Sequence, residues 1–194
     1  MNPSDTTLNQ LLLNLTMLGV QAATAFSQAQ DRLGLQHVLD ADRMTSAQGL
    51  AQSREAVRQL LALVAQYKAV HAELITGATS QWVAAMEGMP EESRAALQQQ
   101  LTQAINQNLQ DQARFHDCRE RWIAAVTQAL DLVEANPGAF WMEGGELVCA
   151  RGALLDELCA LVDVMDEVRA QEVALFEERQ ARAMAAMARM NAPA

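Results

Sequence analysis

Residues 146–190 read ELVCARGALLDELCALVDVMDEVRAQEVALFEERQARAMAAMARM, a stretch without a proline. Within it apolar residues recur at Leu147, Leu154, Leu158, Leu161, Met165, Val168 and Leu175. Gaps of three, four and seven hold side chains on one stripe of an α-helix, and a helix with such a stripe packs along its length against other helices. The stretch therefore reads as one long helix over 146–190. Its other side carries Asp156, Glu157, Asp163, Asp166, Glu167, Glu172, Glu177 and Glu178 with almost no counter-charge.

Three more segments can cover that stripe. A helix over about 5–33 is capped by Ser4 or Asp5 and stopped at Gly34, which tolerates a left-handed cap. Its Leu8, Leu11, Leu15, Leu18, Ala22, Ala25 and Ala29 make a coiled-coil-like seam, widened by Leu12 and Phe26. A second helix over about 40–87 carries Leu60, Leu61, Val64, Tyr67, His71, Leu74, Ala78 and Trp82, with a break or kink expected near 77–80 at Gly77. A third, over about 90–135, opens on Pro90 and shows Leu97, Leu101, Ile105, Asn108, Gln112, Phe115, Trp122, Val126, Leu130 and Val133. Asn136-Pro137-Gly138 ends it, and a loop from Ala139 to Gly145 leads on. Short links between long amphipathic helices favour antiparallel neighbours. The expected fold is all-α, an elongated up-down four-helix bundle forming a single domain over 1–194. A compact α-domain with kinked or split helices is the alternative.

Composition agrees. Half of the 194 residues are apolar (51%), so disorder is not the default, while aromatics are scarce and the apolar bulk is Ala, Leu, Met and Val beside abundant Gln. The net charge is −10 and uneven. Residues 131–178 hold twelve acids against Arg151 and Arg169, whereas residues 1–130 hold twelve acids and nine bases. Such a block repels phosphate backbones, so nucleic acid is disfavoured and a basic partner favoured. The competing explanation is that acids merely solvate the outside of a long helix. No basic amino-terminal region or uninterrupted apolar span is present, so neither a signal peptide nor a membrane segment is expected. Cys118, Cys149 and Cys159 form no CxxC, and on one helix the last two would lie ~15 Å apart, too far for a disulfide. Reduced thiols point to the cytoplasm, with export by a route that uses no cleaved signal as the alternative.

The chemistry-bearing residues form no recognisable site. A di-metal bundle needs Glu-x-x-His pairs, but Gly34, Lys68 and Ala113 stand three before His37, His71 and His116. His116-Asp117-Cys118 with Glu120 is the densest group of metal-binding types, yet successive helical positions turn by ~100° and do not converge on one ion. Phosphate cradles are absent and Lys68 is the sole lysine. The reading is no catalytic site, no cofactor and no metal, hence not an enzyme.

What remains is a binding surface. Phe140-Trp141-Met142 in the loop either plugs the end of the bundle or anchors a partner, since buried aromatics dominate many interfaces. With the acidic block beside it, the expected contact set is Phe140, Trp141, Asp156, Glu157, Asp163, Asp166 and Glu167. The expected function is binding a basic protein, in the manner of an immunity protein for a toxin or a chaperone for an exported effector. One alternative is a self-assembling structural or secreted protein. In that case Met184, Met187 and Met190 serve as an oligomer contact. The other is a ligand or metal sensor built on His71, His116 and the Gln/Asn-rich middle of the third helix.

Overall fold

The fold comes from a computed structural model that describes residues 3–190, with side chains described for 17–182, 184 and 185. The chain is all-α, as the periodicity predicts. Helices α1 (Pro3–Asp31), α2 (Ala41–Met44), α3 (Ala47–Met86) and α4 (Glu91–Glu134) precede a hairpin of β1 (Phe140–Glu143) and β2 (Glu146–Cys149), and α5 (Gly152–Met190) follows. The cap at Ser4 or Asp5, the seam at Leu8, Leu11, Leu12 and Leu15, and Met187 and Met190 concern side chains outside the described residues.

Contacts divide the chain into two compact units, Met1–Leu35 with Arg58–Leu109, and Gln36–Val57 with Gln110–Ala194. In the first unit Phe26 of α1 is buried and meets the Tyr67 ring of α3 at 4.8 Å between centroids. Ala78, Trp82 and Met86 are buried further along α3, whereas Leu18 and Leu61 of the expected stripes are exposed. Gly88, at φ +85°, turns the chain from α3 into α4. A cavity of about 320 Å³ beside this turn is walled by Val83, Met86, Leu101 and Ile105.

The second unit holds most of the remaining core: Met44, Val126, Ala129, Leu130, Val133, Phe140, Leu158, Met165, Val168 and Leu175 are buried. Three sequence expectations change here. The second helix is split at Thr45-Ser46, not at Gly77. Thr45 and Ser46 hydroxyls donate to the carbonyls of Ala41 and Asp42, and Ser46 Oγ accepts from the Gly49 amide at 3.1 Å, which caps α3. At Gly77 an added Cβ would meet nothing within 4 Å, and the helix runs through it. Gly49 has the opposite setting: a Cβ there would fall 2.5 Å from the Arg43 carbonyl oxygen, so only glycine lets α2 lie against α3.

The loop at 139–145 and the first turn expected of the last helix are in fact a β-hairpin. Phe140 pairs with Cys149, Trp141 with Val148, Met142 with Leu147 and Glu143 with Glu146. Gly144 and Gly145, at φ +61° and +88°, form the two-residue turn, whose positive φ values match the twist of the strands. Helix α5 consequently begins at Gly152 instead of Glu146, and Leu147 belongs to β2. Of the stripe, Leu158, Met165, Val168 and Leu175 are buried, and Leu154 and Leu161 are half-buried.

Candidate functional site

The acidic block lies in the second unit, which by sequence carries 18 acids and 10 bases of the chain's 24 and 14. It is not one face. At ~100° per residue Asp156, Asp163 and Asp166 share the side of α5 opposite Leu158, Met165 and Val168. All three are exposed and make no ion pair among the described residues. Glu157, also exposed, is turned away from them. Glu167, exposed too, points to α4, where Arg121 lies at 3.3 Å, and it also accepts from Gln171 Nε2 at 2.7 Å.

Glu167 belongs to a polar seam between α4 and α5 that the sequence does not announce. Arg114 pairs with Glu178 at 2.7 Å and Arg119 with Glu172 at 2.8 Å. Arg121 donates to Gln171 Oε1, and Arg182 and Arg179 both meet buried Asp111. Partners rise along α4 as they fall along α5, so the two segments run antiparallel. The block therefore has counter-charge: Glu167, Glu172 and Glu178 are matched by arginines. The signal was present as Arg114, Arg119 and Arg121 on one segment, but only helix pairing shows which acids they meet.

Burial differs along the seam. Arg114 donates to Glu178, which raises the guanidinium's pKa and lowers the carboxyl's. At Arg119 and Glu172 burial dominates instead, lowering the first and raising the second, with their mutual attraction offsetting only part of the shift. Neither Arg119 Nε nor Glu172 Oε1 has a partner at hydrogen-bonding angle despite the 2.8 Å approach. Burial likewise pushes the Cys118 thiol up, with Glu172 and Asp117 adding to it, so this sulfur stays protonated and is a poor nucleophile.

Phe140 is 6% exposed and packs inward, so of the aromatic pair only Trp141, at 40%, presents a surface. Its indole Nε1 donates to Glu143 Oε2 at 3.3 Å, and Met142 beside it is exposed. A second cavity, about 380 Å³, lies behind the strand between Met44, Leu50, Val133 and Phe140. At its rim Arg54 is held by Asp131 at 2.7 Å and by Glu134.

His71 stands in the first unit near Tyr67 and His116 in the second beside Phe115. Asn108 is exposed and Gln112 is buried. Among the described residues no three His, Cys, Asp or Glu side chains converge as a metal site, and no helix is long and apolar enough to cross a membrane. No family model matches the chain, and neither a curated protein nor a solved structure does.

Proposed function

We propose that this chain is a non-enzymatic protein-binding protein with a basic partner. The observation that carries the reading is the row Asp156, Asp163 and Asp166, exposed on α5 without an ion pair among the described residues, while acids nearer α4 are matched by arginines. Carboxylates that the fold itself does not use are free to meet cations from outside, and complementary charge speeds and orients association. Trp141 and Met142, exposed in the same unit, supply apolar contact. Phosphate-bearing partners are repelled by the same charge. Neutralising a basic toxin or holding a basic effector before export are the roles such a surface suits. The three free thiols favour a reducing compartment, and the proposed location is the cytoplasm.

The test is a tagged pull-down from the native host, eluted in a salt gradient, with the mass of the complex determined. A single basic protein released by salt is expected. Its affinity and salt sensitivity both fall in the triple variant Asp156→Lys, Asp163→Lys, Asp166→Lys. Unchanged affinity in that variant sinks the surface assignment.

A second reading, self-assembly, draws on the first unit, where Met17, Leu18, Val20, Leu61 and Val83 are large apolar side chains at least 46% exposed. A salt-resistant mass that grows with concentration, with no partner recovered, favours it.

A further inference from the structure

Beside the acidic row, α5 exposes apolar side chains that a finished helix surface would bury. Leu155 and Val162 are 38% and 37% exposed, Val173 is 53% and Phe176 is 66%. Spacings of seven and eleven fall within about 20° of whole turns and the last, of three, about 60° short of one, so the four form a strip about 60° wide and ~32 Å long. The row lies about half a turn round the helix from Glu167 and Glu178, which face α4. Asp163, Asp166 and Glu177 flank it on the solvent side, exposed and without ion pairs among the described residues.

We infer that this row is a docking seam for a basic amphipathic helix of another protein, an inference that rests on the proposed binding function. The incoming helix lays its apolar side along Leu155, Val162, Val173 and Phe176 and sets its cations against Asp163, Asp166 and Glu177. This is the helix-in-groove mode, with apolar anchors and flanking charges of opposite sign. Charge selects the occupant. A second copy of α5 would bring acids against acids in either direction, because between Asp156 and Glu178 the helix has only one base. That base is Arg169, exposed and placed in the row between Val162 and Val173. A polar residue at one seam position fixes register, so the partner helix carries an acid opposite Arg169.

The probe is a synthetic 22-residue peptide with leucines at helical seam spacing, lysines on both flanks and one central glutamate. Two controls accompany it: the same composition scrambled to destroy the apolar side, and a version with glutamate for every lysine. Binding to the full-length protein is read by fluorescence anisotropy. The amphipathic basic peptide binds at least tenfold tighter than either control. The double variant Val173→Ser, Phe176→Ser weakens it by about tenfold while thermal stability stays unchanged, as exposed positions allow. Equal binding of the scrambled peptide, no binding of the amphipathic one, or an indifferent double variant each overturns the seam. The two failures separate cleanly. If charge reversal at Asp156, Asp163 and Asp166 abolishes capture of the basic partner while the double variant has no effect, the seam falls and the acidic surface stands. If charge reversal has no effect, the function proposed above falls with it.

Discussion

Replacing Arg119 and Glu172 together, as Arg119→Met with Glu172→Leu, is expected to stabilise the protein. The two side chains are 16% and 18% exposed, so each ion gives up most of its hydration. Removing an ion from water costs several kcal/mol even after relaxation, whereas a pair about 4 Å apart at an effective dielectric of 20 recovers about 4 kcal/mol. Two such costs against one gain leave a deficit, which agrees with burial being the leading cause of both pKa shifts. The poor hydrogen-bond angle at 2.8 Å forfeits the directional part of the interaction. Arg119 also lies over Phe115 at 5.4 Å, a contact that a methionine sulfur replaces. Apolar replacement of buried ion pairs gains ~1–4 kcal/mol, and residual water access places this pair in the lower half, about 1–2 kcal/mol. Urea unfolding followed by tryptophan fluorescence should show a higher midpoint at unchanged slope, and the melting temperature should rise by about 2–4 °C per kcal/mol. The pH dependence has a definite sign. Because Glu172's folded pKa is raised above the ordinary 4.5, the folded state holds the extra proton, and this group's contribution improves as pH falls through the folded value. Glu178 behaves oppositely: its folded pKa is depressed, so its contribution is lost as pH falls through that value. The double variant removes the Glu172 part alone. Arg119→Met by itself raises the Glu172 pKa further, readable by NMR titration. A double variant less stable than the parent by more than about 1 kcal/mol would refute the reasoning, since attraction would then exceed desolvation.

Two glycines in α3 should respond oppositely to alanine. Gly49→Ala drives a Cβ into the Arg43 backbone and should cost about 1–3 kcal/mol, whereas Gly77→Ala meets open space and should gain up to ~1 kcal/mol, both read from urea midpoints. Phe140→Ala, at a 6% exposed site, should cost about 3–5 kcal/mol, while Trp141→Ala, at 40%, should cost under about 1 kcal/mol and act on binding instead. Gly144→Val forces a β-branched residue to φ +61° and should cost about 1–3 kcal/mol, with loss of cross-strand NOEs between Trp141 and Val148.

Helices α3, α4 and α5 were legible because their stripes run at helical period for ten turns or so, and Leu158, Met165, Val168 and Leu175 pack where that period puts them. Periodicity misled at 146–149. Leu147 happens to continue the seven-residue spacing of Leu154 and Leu161, so periodicity alone absorbed β2 into the helix. The overlooked signal was Gly144-Gly145 between two four-residue runs, which is turn chemistry and not a long loop. The split at Thr45-Ser46 needed the hydroxyls to be read as competitors for backbone carbonyls and amides. The acidic residues themselves were plain, but their division was not. Whether Glu167 or Asp163 is matched depends on which side of α5 meets α4, a pairing fifty residues away in sequence that no local pattern encodes.

The hairpin tip places Glu143 opposite Glu146, two like charges in direct register on a sheet of two strands. Like charges across a ladder weaken the pairing beside them. Among the described residues each strand also has just one strand neighbour, so its other edge is a template for further strands. The carboxylates at the tip then act as gatekeepers, giving up hairpin strength to discourage edge-to-edge growth between molecules. Glutamine at both positions should tighten the hairpin and at the same time promote aggregation. Two carboxylates at the end of a ribbon four residues long thus trade pairing strength for protection of the strand edges beside them.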